Sequence, residues 1–189
     1  MILCADSTAA SVPGVQSGEG GSIPTSALHF EACDKLLAVE AVRRWHSRLP
    51  NCQASPWQFA FRAHFQGETL AVALWNNPSA RCLPHHWLEL RRMACSPAAP
   101  KNTPSRFLGW MVRHFRKVCP EREKCISYQD LEVHTGTIYK ASGWAVEYVS
   151  KARTRDRSKP RVGTSRAYRS NLNGVKIDSA PKARWAIKL

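Results

Sequence analysis

Residues 87–118, with the sequence WLELRRMACSPAAPKNTPSRFLGWMVRHFRKV, decide the fold of this chain. Residues 87–95 are typical of a strand, and residues 103–118 place apolar side chains at the period of an amphipathic helix. The proline-rich stretch between them predicts a rigid loop. Thr103 is predicted to cap this helix, with Pro104 at its first position, where proline loses no hydrogen bond. A strand that runs through a loop into a helix is the unit of α/β proteins, which we therefore expect here.

The sequence on both sides of this unit supplies the other predicted elements. Asp34 can cap a first helix, Gln66 and Gly67 can turn a hairpin, and Gly143 can end a short third helix. The predicted strands are 28–33, 57–65, 70–75, 87–95, 125–129 and 144–149, and the predicted helices are 35–48, 103–118 and 136–142. Because the helices of the second half cross between neighbouring strands, we expect a mixed central sheet flanked by helices.

Positive charge is concentrated at one end of the sequence. The 189 residues carry a formal net charge of +14, and residues 150–189 alone hold twelve Lys and Arg against two Asp. Lys and Arg bind phosphates with release of condensed counterions, so the composition favours a polyanionic partner. The alternative is a solvated basic segment without a partner. An apolar content of 43% with seven Trp excludes a wholly disordered basic protein.

Composition divides the chain into three parts. Residues 1–27 are rich in Ala, Ser, Gly and Pro, and we expect a disordered leader, or upstream sequence read from an early start codon. Residues 28–150 form the predicted catalytic domain, and residues 151–189 form a basic extension. The chain has seven cysteines without a C-x-x-C pair, no basic residue before Lys35, and no apolar run of about 18 residues. These features favour a cytoplasmic protein with reduced thiols and no membrane partner.

Two loops at the carboxyl ends of predicted strands carry the groups suited to chemistry. The first leads into the helix at 103–118, where backbone N–H groups with Lys101 and Arg106 predict a phosphate site; an ordinary capped helix is the alternative. The second, residues 128–139, gathers a carboxylate, an imidazole, hydroxyl groups and two tyrosines, which suits proton transfer. In the alternative interpretation, Asp130 forms a turn and Tyr139 is a core residue.

The order of elements resembles the GCN5-related N-acetyltransferase (GNAT) fold. More narrowly, four blocks resemble the Mom-type DNA-modification proteins of phage Mu and its relatives, and the similarity covers roughly residues 30–150. The blocks are RRMA at 91–94, PKNTPS at 100–105, ISYQD at 126–130 and HTGTIYKA at 134–141.

This resemblance implies an enzyme that modifies the N6 amine of adenine in double-stranded DNA to a carbamoylmethyl derivative, hiding phage DNA from host restriction. It implies an acetyl-CoA-type donor, with its pyrophosphate on the loop after the fourth strand. The usual Gln/Arg-x-x-Gly-x-Gly/Ala loop is absent, and residues 98–103 stand in its place. The residues that the resemblance places at the cofactor are Arg91, Arg92, Lys101, Asn102, Thr103, Ser105 and Arg106.

The resemblance also suggests roles for the second loop. Tyr139 matches a tyrosine near the thioester sulfur and would serve the leaving thiol. Asp130 is the candidate base or amine-orienting group, and Tyr128 and Ser127 would flank the adenine, which has to leave the duplex. His46 resembles the family's early histidine and would complete the polar site with His134; in the alternative interpretation, His46 is a surface residue of the first helix. Two histidines and a carboxylate suit redox-active iron, so His46, Asp130 and His134 are a possible metal site.

The basic extension would grip DNA through phosphate contacts, without a sequence code. The predicted contacts are Arg153, Arg155, Arg157, Lys159, Arg161, Arg166, Arg169, Lys182 and Arg184. Two rival functions remain: an ordinary GNAT enzyme acting on a small amine or a protein lysine, and a non-catalytic nucleic-acid-binding module. The oligomeric state and the DNA sequence context stay open.

Overall fold

The computed structural model describes residues 23–47, 49–52, 57–152 and 180–189. After a 3-10 turn at Thr25–Ala27, the chain forms β1 (His29–Ala32), α1 (Lys35–Trp45), β2 (Phe59–Phe65), β3 (Glu68–Asn76), β4 (Leu88–Cys95), α2 (Thr103–Val118), β5 (Lys124–Asp130), α3 (Thr137–Ala141), β6 (Ala145–Ser150) and β7 (Lys182–Lys188). The strands form one mixed sheet in the order β1-β2-β3-β4-β5-β7-β6, in which β4 and β5 are parallel. The prediction of an α/β protein with a mixed central sheet flanked by helices is confirmed.

The two long helices cover opposite faces of the sheet. On one face, Phe107, Met111 and Phe115 of α2 pack against Phe61 and Trp75. On the other face, α1 packs its buried Val39 and Val42 against Val72 and Leu74 of β3. The apolar period of 103–118 thus does produce the predicted helix. No helix of the described ranges is long and apolar enough to cross a membrane.

The last strand lies where the sequence analysis placed only a basic extension. Residues 182–188 form β7, which pairs antiparallel with both β5 and β6. Ala183 and Trp185 are buried in the core, while Lys182 and Arg184 alternate with them on the other face. The assignment of these seven residues to an extension outside the domain is therefore corrected: the alternation marks a half-buried strand. Residues 151–181 connect two neighbouring strands, whose ends pair at Ser150 and Lys182.

The two parallel strands separate part-way along their length. The register between β4 and β5 runs over three pairs, from Leu88 with Cys125 to Leu90 with Ser127. Beyond these pairs, β4 continues beside β3 and β5 continues beside β7. The carboxyl ends of β4 and β5 therefore border a cleft at the topological switch point, which is where ligands bind in open α/β sheets.

A β-bulge lies at the start of this cleft. Trp75 pairs with Leu90 and Leu74 pairs with Arg92, so Arg91 is the extra residue of β4. The bulge reverses the alternation of β4 and places Arg92 on the face that carries α1. The side chain of Arg92 is thereby directed to the cleft from the face that carries α1.

Candidate active site

The hydroxyl groups of Ser127 and Tyr139 meet where the cleft begins. Ser127 Oγ lies 2.9 Å from Tyr139 Oη and donates to the carbonyl oxygen of Leu90 at 3.3 Å. Ser127 occupies the last position of β5 that pairs with β4, and α3 brings Tyr139 back over the same face. Burial raises the pKa of Tyr139, and its hydrogen bond with Ser127 acts in the opposite direction. The phenol therefore stays protonated at neutral pH and can donate a proton.

An aromatic frame holds Tyr139 in place. Its ring stacks on Trp185 of β7, with centroids 5.3 Å apart and planes 14° apart, and meets the ring of Trp144 edge-on at 5.7 Å. The indole N–H of Trp185 donates to Gln129 Oε1 at 2.6 Å, and the amide of Gln129 donates to the carbonyl oxygen of His134. Trp185 and Gln129 thus fix both the tyrosine and the loop after β5. The sequence analysis did not assign either residue to the site. The alternation of buried and exposed positions in residues 182–188 could have identified Trp185.

Gly136 allows this frame to close. It adopts a left-handed backbone conformation with φ 75°, and a Cβ atom there would lie 2.6 Å from both Gln129 Oε1 and Trp185 Cζ2. Residues with a side chain would meet both the steric cost of the left-handed region and this contact. The glycine of the HTGTIYKA block is therefore required by the packing around it.

Tyr128 and Asp130 extend from the other face of β5, because successive strand residues alternate. Burial raises the pKa of Tyr128, while its hydrogen bond with Arg184 opposes that shift. Asp130 ends β5 and begins a turn: its Oδ1 accepts from the N–H of Glu132 at 3.1 Å, and its carbonyl oxygen accepts from the N–H of His134 at 3.0 Å. The carboxylate is half-buried at the end of the strand that borders the cleft.

The structure brings His46, Arg92 and His134 into electrostatic contact. His46 follows the last residue of α1, and its Nδ1 accepts from the N–H of Leu49 at 3.2 Å. Burial, with smaller contributions from the charges of Arg92 and His134, lowers the pKa of His46 to about 4. The imidazole of His46 is therefore neutral at physiological pH. This group joins the end of α1, the bulged part of β4 and the loop after β5.

The loop between β4 and α2 presents an uncapped helix N-terminus. Asn102 takes the cap position in a left-handed conformation with φ 69° and makes no side-chain cap hydrogen bond. The predicted cap, Thr103, is instead fully buried, and both its hydroxyl and its N–H donate to the carbonyl oxygen of Pro100, at 2.7 and 3.2 Å. Ser105 Oγ donates to the carbonyl oxygen of Asn102 at 3.0 Å. Thr103 therefore shapes the loop, and the helix N–H groups lack a side-chain acceptor.

The sequence agrees with one protein family over most of its length. Residues 27–182 match the sequence profile of the Mom protein family. The chain belongs to the Mom protein family. The resemblance inferred from the four sequence blocks is thereby confirmed, and the match extends through the basic segment to the first residue of β7.

Solved structures place this Mom chain in the GNAT fold. An acetyltransferase of Salmonella typhimurium with acetyl-CoA has a TM-score of 0.58 at 12% identity, covering 86% of this chain and 94% of the other. A Bacillus subtilis acetyltransferase in complex with CoA has a TM-score of 0.55 at 12% identity, covering 86% and 99%. A GNAT-family acetyltransferase of Desulfovibrio desulfuricans has a TM-score of 0.56 at 13% identity, covering 86% and 99%. A comparison with curated protein sequences gave no match.

The proposed metal site is not formed. Within residues 23–47, 49–52, 57–152 and 180–189, no group of three or more His, Cys, Asp and Glu side chains is placed to hold a metal ion. The set of His46, Asp130 and His134 is therefore corrected. Asp130 turns one carboxylate oxygen into its own loop, towards the N–H of Glu132, and His46 uses Nδ1 to accept from Leu49.

The two arginines of the RRMA block lie in different surroundings. Arg91 Nη2 donates to the carbonyl oxygen of Asn77 at 2.6 Å, and Arg91 Nε lies 3.7 Å from Glu89 Oε1. Arg91 therefore ties β4 to the loop that follows β3. Arg92 lies beside His46 at the cleft. Lys101 and Arg106 are exposed at the start of α2, where the cofactor phosphates were predicted.

The predicted DNA contacts divide into two groups. Seven of them lie outside the described residues: Arg153, Arg155, Arg157, Lys159, Arg161, Arg166 and Arg169. Arg184 is an integral part of the sheet in this Mom chain, since its Nε lies 3.0 Å from Glu147 Oε2 and its guanidinium lies 5.6 Å from the ring centre of Tyr148. Lys182 pairs in register with Asp130 at the end of β5.

Proposed function

We propose that this Mom family chain is an acyltransferase-like enzyme that modifies the N6 amine of adenine in double-stranded DNA. The observation that carries the proposal is the cleft between β4 and β5, because Ser127 and Tyr139 flank it on one face and Arg92 and Asp130 on the other. A sheet that is open at this point lets a donor and an acceptor approach from opposite faces. The step that an acyl thioester supports is transfer of its acyl group, which forms an amide at N6. The carbamoylmethyl product that the family resemblance implies is joined through the methyl carbon, and its formation would need a nitrogen donor and a two-electron oxidant in addition.

An acyl-CoA-type donor fits the residues that border the cleft. The N-terminus of α2 has no side-chain cap, and Lys101 and Arg106 are exposed beside it, which suits the pyrophosphate. The solved acetyltransferase structures with CoA and acetyl-CoA have the same fold and support this choice. When bound, the donor supplies the carbon that is transferred and the thiolate that leaves.

The chain's own residues would move two protons. The amine of adenine is a poor nucleophile, and it loses a proton as the bond from N6 to the donor carbon forms; the carboxylate of Asp130 accepts that proton. Tyr139 would donate its phenolic proton to the sulfur that leaves. Ser127 holds the phenol in position through its 2.9 Å hydrogen bond. His46 is neutral at neutral pH, and because its Nδ1 accepts from the N–H of Leu49, its Nε2–H can donate a hydrogen bond to the extracted base.

The basic segment would hold the duplex against this cleft. Residues 151–181 contain nine Lys and Arg against two Asp, and both ends of the segment meet at the Ser150–Lys182 pair, next to Asp130. Phosphate contacts made here would position the DNA without reading its sequence. Such an enzyme would act in the cytoplasm of a bacterial cell, on phage or prophage DNA, and would protect that DNA from host restriction.

Mass spectrometry of nucleosides tests this proposal directly. DNA from cells that express the chain is digested and compared with DNA from cells that express Asp130→Asn. The asparagine keeps an oxygen for the N–H of Glu132 but cannot accept the proton, so we expect a modified deoxyadenosine with the wild-type chain alone. The mass of the adduct identifies the group. Unmodified DNA together with acetylation of an amine or a protein lysine would contradict the proposal and favour an ordinary acetyltransferase.

Binding measured against salt tests the proposed grip on DNA. Replacing Arg153, Arg155 and Arg157 by Ser is expected to weaken duplex binding and to make the plot of log K against log salt shallower, by roughly 0.9 for each phosphate that the protein no longer neutralises. Replacing the exposed Arg81 and Arg113 in the same way serves as a control, since both lie outside the basic segment. A slope unchanged by the first set would exclude these phosphate contacts.

A further inference from the structure

Two aliphatic side chains are exposed in the loop between β5 and α3, residues 131–136. Leu131 is 41% exposed and Val133 is 43% exposed. The backbone of this loop is nevertheless well anchored: the N–H of Leu131 donates to the carbonyl oxygen of Pro181 at 3.1 Å, and the N–H of His134 donates to that of Asp130 at 3.0 Å. The side-chain amide of Gln129 also anchors the loop, because it donates to the carbonyl oxygen of His134. A fixed loop thus presents two apolar side chains to water, at a cost in free energy that burial would remove.

The position of the loop points to one occupant for this surface. Leu131 directly follows the candidate base Asp130, and its N–H bonds to Pro181, the last residue of the basic segment. The nine Lys and Arg of residues 151–181 suit a polyanionic partner, and both ends of that segment lie beside this loop, at the Ser150–Lys182 pair and at Pro181. Charge complementarity therefore favours double-stranded DNA over an apolar protein surface.

The loop itself does not suit phosphates. Glu132 lies between the two aliphatic residues, so this part of the surface adds no positive charge for the sugar-phosphate backbone. Apolar side chains instead suit the interior of the duplex, where the faces of the stacked bases are apolar. The contact that this loop can make with DNA is therefore with the bases.

We propose that Leu131 and Val133 form a wedge that enters the duplex beside the target adenine and fills the space which that base leaves. This inference rests on the proposed function, because an adenine inside the stack cannot reach Asp130. Extraction of a base requires unpairing and unstacking, and apolar side chains inserted at a base step compensate for part of that loss. The wedge lies one and three residues after the proton acceptor, so the same loop separates the base pair and borders the site that receives the base.

Permanganate footprinting of the full chain bound to a long DNA duplex tests the wedge. Permanganate oxidises thymines that are unstacked, so it marks the partner of an extracted adenine in any sequence context. The variant is Leu131→Ala with Val133→Ala. The matched control is Leu36→Ala with Val118→Ala, which removes two aliphatic side chains that are 58% and 50% exposed, at the start of α1 and the end of α2. Exposed truncations of this kind leave the fold intact.

The wild type and the control are expected to produce reactive thymines and to modify the duplex. The wedge variant is expected to lose the thymine reactivity and to modify duplex DNA at least about tenfold more slowly, while it modifies single-stranded DNA at the wild-type rate. Unchanged thymine reactivity in the variant, or an equal loss on single strands, would overturn the wedge. If the wild type binds the duplex without reactive thymines, or does not bind it, the wedge is also overturned. Reactive thymines without modified adenine would support the wedge and contradict the proposed function.

Discussion

Ser127 Oγ and Tyr139 Oη lie 2.9 Å apart at the point where two parallel strands separate. One residue belongs to β5 and the other to the five-residue helix α3, so the contact joins the central sheet to the HTGTIYKA block. Both side chains are buried, and the phenol cannot leave the serine without breaking the aromatic packing around Trp185. This pair therefore gives the cleft a proton donor in a fixed position.

Tyr139→Phe tests that donor. The substitution keeps the ring against Trp185 and removes the phenolic proton, and Ser127 keeps the carbonyl oxygen of Leu90 as a partner. We expect the free energy of unfolding to fall by about 1 kcal/mol and the rate of DNA modification by at least about 100-fold. Nucleoside mass spectrometry gives the rate, and Tyr148→Phe, at an exposed tyrosine of β6, is the control. A rate for Tyr139→Phe close to that of the wild type would exclude the phenol as the acid.

Gly136→Ala tests how tightly Gln129 and Trp185 pack around Gly136. Alanine at φ 75° meets the cost of the left-handed region, and its Cβ would lie 2.6 Å from Gln129 Oε1 and Trp185 Cζ2. Gly67→Ala is a matched control, because Gly67 has φ 84° but nothing within 4 Å of the added atom. We expect a loss of about 1 kcal/mol for Gly67→Ala and about 3 kcal/mol for Gly136→Ala in urea denaturation. Equal losses in the free energy of unfolding for the two variants would show that Gln129 and Trp185 move to accommodate the added Cβ atom.

The buried imidazole of His46 predicts how stability changes with pH. Its pKa is about 4 in the folded chain against an ordinary value of 6.5, so between these values the unfolded chain binds a proton that the folded chain does not. Stability therefore rises with pH across this window, and the contribution of His46 is lost as the pH falls through it. We expect the wild type to lose up to about 3 kcal/mol more than His46→Gln between pH 6.5 and pH 4. Unfolding in urea at several pH values measures the difference, and parallel curves for the two chains would contradict it.

Exposed His85 offers the control for that experiment. His85→Gln removes an imidazole from the loop between β3 and β4, where the side chain is exposed. Its stability curve is expected to follow that of the wild type at every pH. If the stability curve of His46→Gln follows that of the wild type and the curve of His85→Gln does not, the pH dependence arises from His85 and the prediction for His46 is wrong.

Local sequence patterns predict most of the fold but not its last strand. The strands β2 and β3 and the helix α2 are predicted because their apolar periods are long and uninterrupted. In β7 the same alternation is present in Ala183, Trp185 and Ile187, but Arg184 and the terminal Lys182 and Lys188 give the segment the composition of a basic tail. The pairing of β7 between β5 and β6 is a contact between distant parts of the chain, which periodicity does not specify.

In the candidate site too, residues close in sequence are predictable and residues distant in sequence are not. Ser127, Asp130 and Tyr139 lie within thirteen residues of one another, so a local motif is enough to select them. Trp185 lies 56 residues after Gln129 and enters the site through the sheet. The expected metal site failed for a related reason: residue types suited to a metal were present, but the turn at Asp130 directs one carboxylate oxygen to a backbone N–H. Residue chemistry is readable from the sequence, whereas the direction of a side chain depends on the turn that holds it.

The position of β7 has a consequence for how the protein is made. The ribosome synthesises β5, then β6, then the whole basic segment, and only afterwards the strand that lies between β5 and β6. Until residues 182–188 emerge, β5 has an unpaired edge, β6 has no neighbour in the sheet, and Tyr139 lacks the indole on which it stacks. A nascent chain thus carries its positive charge before the cleft between β4 and β5 is complete. The active site that we propose there is assembled only once the sheet has closed around its last strand.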